Sequence, residues 1–440
     1  MSSLPYRVAI IGAGSSGLAA AVKLYSSESA RPISATIFES RREAGGRTRS
    51  FTDGESHDTL DNGQHLLLGC YTSTLSYLRT IGSKHLLQKQ NSLEIPYMIP
   101  GEFRSSTLKL AAGLPVPLNL LSGLFQTDLL HKYEKIAAMR FGMGLMMFRY
   151  DKHMAHASCA ELFKFAHQPV TLIEKLWKPI VIGTINLPPE KASAQVFLHL
   201  MRIIFLQNRK YSAMLFPKVG LSDMLINPAV KYLEQHGCTI KYGENVRSIK
   251  HGNNLIYLES DGGNDVFDAL IFAGNYHDAS FLPEEVQELI PPITYSPIAN
   301  AYLWTDKKII GKPICGFIGT SLEWCFSKPT HTSGELLACT KSAADGLIAK
   351  ENDEIANIFW NDIKKSFPGS DAKLLRSVII KEKRATPLLN AELQLHRPKT
   401  RTPVPHLYLA GDLVQNGLPM TIEGAVRNGQ KAAAEVLKGI

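Results

Sequence analysis

The sequence predicts an α/β protein: a parallel-sheet domain built from both ends of the chain, with a second, α+β domain interleaved between its parts. Three observations predict it. An apolar run, Val8–Ile11, hands over to three glycines and a helical pattern. A second run, Ile33–Glu39, follows and ends on a carboxylate. A third, Leu407–Ala410, closes on Gly411-Asp412 and leads into a helical pattern near the far terminus. At 440 residues the chain exceeds what one small core organises, so two domains are expected.

The opening stretch "VAIIGAGSSGLAAA" reads as a strand buried on both faces, a turn, and a helix. Gly12 permits the turn, Gly14 lets the backbone approach a pyrophosphate, and Gly17 lets the helix pack close to the strand. From Ser15 the helix would aim its unpaired N–H groups at the phosphates. Glu39 lies 22 positions after Gly17, where a carboxylate accepts hydrogen bonds from ribose hydroxyls and repels a 2′-phosphate. Together these define a Rossmann-like dinucleotide site. At the other end, Gly411-Asp412 sits at the carboxyl end of a strand, where open α/β sheets place ligands. The helix after it repeats apolar residues at Ile422, Ala425, Val426, Gly429, Ala432, Ala433 and Val436. Its N-terminus near Thr421–Ala425 would favour negative charge on a ligand ring.

Composition is ordinary for a globular protein, with 45% hydrophobic and 20% charged residues. The net charge of +8 favours anionic partners without choosing among them, and no nucleic-acid partner is expected. The six cysteines are scattered with no Cys-x-x-Cys, which fits a reducing compartment better than a disulfide framework. His153 and His156 lack a carboxylate or cysteine at ligand spacing, so no metal is expected. No signal peptide and no 18-residue apolar run are present, so the chain reads as cytoplasmic.

In the middle, Pro217–Gly220 is a turn and Leu221–Gln235 a helix. "CTIKYGENVRSIKH" follows as strand-turn-strand, and Asp268–Asn275 as a buried strand ending in Gly274. Leu108–Phe125 is apolar but broken by prolines and glycines, suited to dipping into a bilayer or forming a tunnel mouth. Ile136–Tyr150 is methionine-rich, which reads either as core or as an adaptable lipid contact. Lys132, Arg140, Arg149 and Lys152 offer a lipid surface cationic anchors or are simply a solvated face.

Just past Glu39, "SRREAGGRTRSF" places a second glycine pair where a nicotinamide enzyme needs none, and the stretch resembles the FAD-dependent amine oxidases and carotenoid-type desaturases. More narrowly, "DNGQHLLLGCYTSTLSYLRTIG" and "GLPMTIEGAVRNG" resemble the bacterial squalene-associated FAD-dependent desaturases, understood as hydroxysqualene dehydroxylases. The resemblance implies FAD held by Gly12, Gly14, Ser16, Gly17, Glu39, Ser40, Gly45, Gly46, Arg47, Gly63, Gln64, Val246, Gly274, Gly411, Asp412, Met420, Thr421, Gly424 and Ala425. In it, Arg47 neutralises the pyrophosphate and the Val246 backbone meets the adenine. It implies an FAD-binding domain of residues 1–90, 214–284 and 401–440, and a substrate domain of 91–213 and 285–400. The aromatic pair that such enzymes often carry after Gly-Asp is replaced here by "LVQNG".

The implied activity is removal of the hydroxyl of hydroxysqualene in squalene and hopanoid biosynthesis, with hydride from reduced FAD reaching an allylic cation. An isoprenoid substrate, a peripheral membrane surface and an unspecified electron donor for FAD are the implied partners. Breaking an allylic C–O bond requires protonation of the oxygen and exclusion of water. His65, Asp61 and Glu423 are the candidate acids. The alternatives on this fold are a carotenoid or phytoene-type desaturase, an amine oxidase, and a prenyl-protein escort without redox activity.

Overall fold

The computed structural model describes residues 4–100 and 104–440. Its central parallel sheet orders five strands as Thr239–Tyr242, Ile33–Glu39, Tyr6–Ile11, Ala269–Phe272 and Leu407–Leu409. Parallel neighbours cannot be joined by a tight turn, and the helix Ser15–Tyr25 makes the first crossover. Val8, Ala9 and Ile10 are fully buried because both faces of the sheet are covered, which explains their uninterrupted apolar run. Helix Ile422–Leu437 lies against helix Ser15–Tyr25 backbone to backbone: a Cβ on Gly429 would stand 2.1 Å from the Ser16 carbonyl oxygen. The two ends of the chain thus share one layer.

The expected helix over Leu221–Gln235 has a wide turn at Ser222–Ile226 before α-helix Asn227–Gln235. Pro228 has no N–H to give the Met224 carbonyl, so the regular helical ladder cannot run through this point.

A seven-stranded sheet orders Leu374–Pro387, Tyr295–Thr305, Glu335–Ser342, Trp324–Lys328, Ile314–Phe317, Glu94–Ile99 and Arg104–Lys109. Its pairings are antiparallel except that of Ile314–Phe317 with Glu94–Ile99. The two-residue period of strand Tyr295–Thr305 divides its side chains. Ala299, Ala301 and Leu303 pack with Ile355, Phe359 and Ile363 of helix Asn352–Ser366. Tyr302 and Trp304 face the other way, into the cluster that holds Phe141, Phe163, Trp177 and Phe197 of the helical region.

In helix Lys132–Met146, Glu134, Ala138, Phe141 and Leu145 turn inward, while Tyr133, Ile136, Arg140 and Met143 turn outward, followed by Met147 just beyond. The core reading of the methionines therefore fails for Met143, Met146 and Met147, which are exposed. Leu114, Leu118 and Phe125 of the neighbouring segment are exposed as well.

Candidate active site

The two glycine loops lie across each other at the carboxyl end of the parallel sheet. Gly12 takes a φ of +98°, and a Cβ on it would meet the Ala273 carbonyl oxygen at 2.9 Å and Gly274 Cα at 3.1 Å. A Cβ on Gly17 would lie 1.9 Å from the Gly12 carbonyl oxygen, so only glycine lets the helix start here. At Gly14 the space is open: no atom lies within 4 Å of where a Cβ would sit. Gly45 donates its N–H to the Ala13 carbonyl at 2.9 Å and bridges to Gly14, and Gly46 follows at a φ of +58°.

Glu39 closes one end of this cradle. Its Oε2 accepts the Ala13 N–H at 2.7 Å and its Oε1 the Arg41 N–H at 3.0 Å, with Ser40 Oγ at 3.5 Å. The Glu244 N–H donates to the Glu39 carbonyl, which brings the half-buried Val246 near that end. Ser16 Oγ is buried with no hydrogen-bond partner.

The C-terminal residues complete the cleft. Arg47 donates to Asp412 Oδ1 at 2.6 Å and to the Ala385 carbonyl at 3.0 Å, and the Asp412 charge holds the guanidinium firmly protonated. Gly411 has a φ of +113°, which lets the strand turn sharply into Asp412. Thr421 caps the last helix, its Oγ1 accepting the Gly424 N–H and its carbonyl the Ala425 N–H. The Gly424 and Ala425 N–H groups are thus engaged within the cap. Met420 is buried just before the cap.

Arg397 is the residue that sequence reasoning missed here. It is 4% exposed, and its guanidinium donates to the carbonyls of Asp412, Leu413, Val414 and Leu418 and to Gln394 Oε1. Burial lowers its pKa to about 10. The "LVQNG" loop is therefore shaped by a buried cation gripping its carbonyls. Nothing in "LHRPKT" distinguishes this arginine from a surface one; the acceptors lie at the far end of a tertiary fold.

Of the three candidate acids, two have other work. Glu423 accepts the N–H groups of Ser73 and Thr74, the Thr74 hydroxyl, and Arg427 at 3.0 Å. It is the anion at the N-terminus of helix Thr72–Thr80, where a negative charge meets the positive end of the helix dipole. It is not a pocket acid. Asp61 is 1% exposed; its Oδ1 accepts Ser50 Oγ at 2.7 Å and the Leu221 N–H at 2.9 Å, and its Oδ2 faces Lys328 Nζ at 3.4 Å. It ties three segments together and has no free oxygen for proton delivery.

His65 remains. Its Nδ1 lies 2.6 Å from the Gly63 carbonyl, which can only accept, so Nδ1 carries the hydrogen and Nε2 offers its lone pair. Burial lowers its pKa, against the raising effect of Asp61 and the Gly63 carbonyl. Beside it, Gln64 Oε1 and Asn300 Nδ2 are buried without partners. His153 and His156 are both exposed, and no group of metal-ligating side chains occurs among the described residues.

An open point at Gly14, an unpartnered buried Ser16 hydroxyl, a carboxylate at the second strand's end and an Arg–Asp pair at the fifth suit a dinucleotide lying across the sheet end. The model of the flavin containing amine oxidoreductase family matches residues 15–437. The chain belongs to that family. It is 31% identical over 98% of both chains to the hydroxysqualene dehydroxylase of Sinorhizobium fredii, and 27% identical over 96% of this chain and 97% of the other to that of Zymomonas mobilis. A 15-cis-phytoene desaturase of Solanum lycopersicum is 24% identical over 99% of this chain and 78% of its own length. Among solved structures, a putrescine oxidase bound to putrescine superposes with a TM-score of 0.71 at 16% identity over 99% of each chain. The family's enzymes are FAD-dependent oxidoreductases, and this chain is one, with FAD as its cofactor.

Proposed function

We propose that this enzyme reductively dehydroxylates hydroxysqualene to squalene. The near full-length similarity to enzymes of that name carries the reading. In balance, the C–O bond breaks, the oxygen leaves with a proton as water, and a hydride takes its place on carbon. FAD, when bound and reduced by an electron donor, would supply that hydride. The glycine loops and Arg47 would hold the pyrophosphate, Asp412 the ribityl side, and the segment at Val246 the adenine side. His65, half-buried at Gly63, is the candidate proton carrier, passing on from Nε2 a proton that this nitrogen first takes up. Residues 1–90, 214–284 and 401–440 would serve the cofactor, and 91–213 with 285–400 the substrate, in squalene and hopanoid synthesis.

A peripheral membrane role is part of the same reading. Leu118, Phe125, Tyr133, Ile136, Met143, Met147 and Val170 are exposed large apolar side chains. Lys135 Nζ bonds the Phe125 carbonyl and Tyr133 Oη lies 3.0 Å from Thr171 Oγ1, so the segments that carry them adjoin. Lys132, Arg140, Arg149 and Lys152 stand exposed beside it, the arrangement that suits an anionic lipid surface. No helix among the described residues is long and apolar enough to cross a membrane.

The deciding experiment is anaerobic mixing of dithionite-reduced holoenzyme with hydroxysqualene, followed by lipid analysis. Squalene formed in proportion to flavin oxidised supports the reading. Unchanged alcohol over an intact flavin refutes it, and consumption of phytoene by the oxidised enzyme would point to a desaturase.

A further inference from the structure

Strand Tyr295–Thr305 turns three polar side chains, two residues apart, toward the segment 58–63. Trp304 Nε1 donates to Asp58 Oδ2 at 2.8 Å. The Tyr302 hydroxyl donates to the Asp61 carbonyl at 2.9 Å and accepts the Asp61 N–H at 3.0 Å. The third member, Asn300, is 2% exposed and has no such partner. Its Oδ1 accepts the Thr340 hydroxyl at 2.8 Å, and Nδ2 is left buried and unpaired. Across from it the chain has Gly63: a Cβ there would lie 3.4 Å from Asn300 Nδ2 and 3.6 Å from His65 Cε1. The row thus has a protein partner at two positions and none at the third, which borders His65.

A buried amide donor without an acceptor is costly, and native proteins seldom keep one. An acceptor from outside the chain fits this gap. We propose that Asn300 Nδ2 donates a hydrogen bond to the alcohol oxygen of the substrate, making Asn300 the residue by which the site tells an alcohol from a hydrocarbon. The inference rests on the dehydroxylation reading and deepens it. A neutral amide also suits the chemistry. It steadies a departing oxygen without placing a fixed cation beside the allylic cation, as a lysine would. A carbonyl of the bound flavin is the other source of an acceptor, and the experiment separates the two.

The oxidised holoenzyme has no hydride to give, so binding can be measured without turnover. Hydroxysqualene and squalene are titrated into wild type, Asn300→Asp and Thr340→Val in detergent micelles, with FAD affinity and the flavin absorption spectrum recorded for each. Asn300→Asp keeps an acceptor for Thr340 and removes the donor; Thr340→Val frees the amide to rotate and serves where the first variant does not fold. The preference for alcohol over squalene is expected to fall about tenfold in Asn300→Asp, the scale of one hydrogen bond, and to fall also in Thr340→Val. Squalene affinity, FAD affinity and the spectrum should not change. A preference retained in both variants overturns the proposal, and so does a shifted spectrum or FAD affinity with the preference intact, which would place the acceptor on the flavin. A wild-type enzyme with no preference at all also overturns the proposal, whereas the dehydroxylation reading falls separately, by the anaerobic turnover experiment above.

Discussion

The contact between the two ends of the chain can be tested at Gly429. Replacing it by alanine puts a methyl group 2.1 Å from the Ser16 carbonyl oxygen and 3.2 Å from the Ala20 nitrogen, both backbone atoms that no rotamer can move. Restoring ordinary contact requires helices Ser15–Tyr25 and Ile422–Leu437 to part by roughly an ångström, a strain of about 1–3 kcal/mol in a packed interior. Alanine returns about 1 kcal/mol through its better helix propensity, leaving a net loss of up to about 2 kcal/mol. Because those helices begin at the two halves of the cofactor cradle, FAD affinity should fall by about tenfold. Gly142 is the control: it lies within helix Lys132–Met146 with open space around its Cβ position, so Gly142→Ala should stabilise by about 0.5–1 kcal/mol. Denaturant midpoints of the two variants, with FAD binding by fluorescence, read both effects. A Gly429→Ala protein as stable as wild type with unchanged FAD affinity would refute the backbone contact.

Other changes separate structural from chemical roles. Glu423→Gln should cost about 1–3 kcal/mol by weakening the anion at the N-terminus of helix Thr72–Thr80, while the shape of the pH–rate profile stays as in wild type; a lost acidic limb would restore Glu423 as the acid. Arg397→Gln should lower stability by at least about 3 kcal/mol and weaken FAD binding, since four loop carbonyls lose a charged donor; unfolding of the apoprotein and FAD titration check this. His65 has its pKa lowered in the fold from an unfolded value of about 6.5, so the unfolded chain takes up the proton first. Its contribution is present above that pH and is lost as pH falls toward the folded value, so the denaturant midpoint of His65→Gln should fall less than that of wild type between pH 7.5 and 5. The double substitution Met143→Glu and Met147→Glu should reduce co-sedimentation with anionic vesicles about tenfold with no change in denaturant midpoint, because both side chains are already exposed.

The family, the fold and the cofactor were legible in the sequence because they depend on local rules. Gly12, Gly14 and Gly17 announce a turn, an approach and a close helix over six residues, and the apolar runs at 8–11 and 33–39 announce strands covered on both faces. Such signals survive in a linear string because each constraint is satisfied by neighbours along the chain. The chemistry of the site was legible only in part. Asp61, His65 and Glu423 are equally plausible acids as letters, and only the fold shows that Asp61 and Glu423 already serve backbone donors from other segments. The outward turn of Met143 and Met147 was likewise open, since a helical stripe does not say which side the rest of the protein occupies.

Arg397 and Asn300 lie at the limit of sequence reading. The one trace Asn300 leaves is a single amide inside the apolar strand "YSPIANAYLWT", and Arg397 leaves none. What gives each its role is a partner, present or missing, that the fold brings across: carbonyls of residues 412–418 for the arginine, and the vacant side chain of Gly63 for the asparagine. A sequence determines what each stretch can form by itself. Which buried polar groups are satisfied, and which are left facing a ligand, depends on distances between residues hundreds of positions apart, and only the tertiary structure sets those.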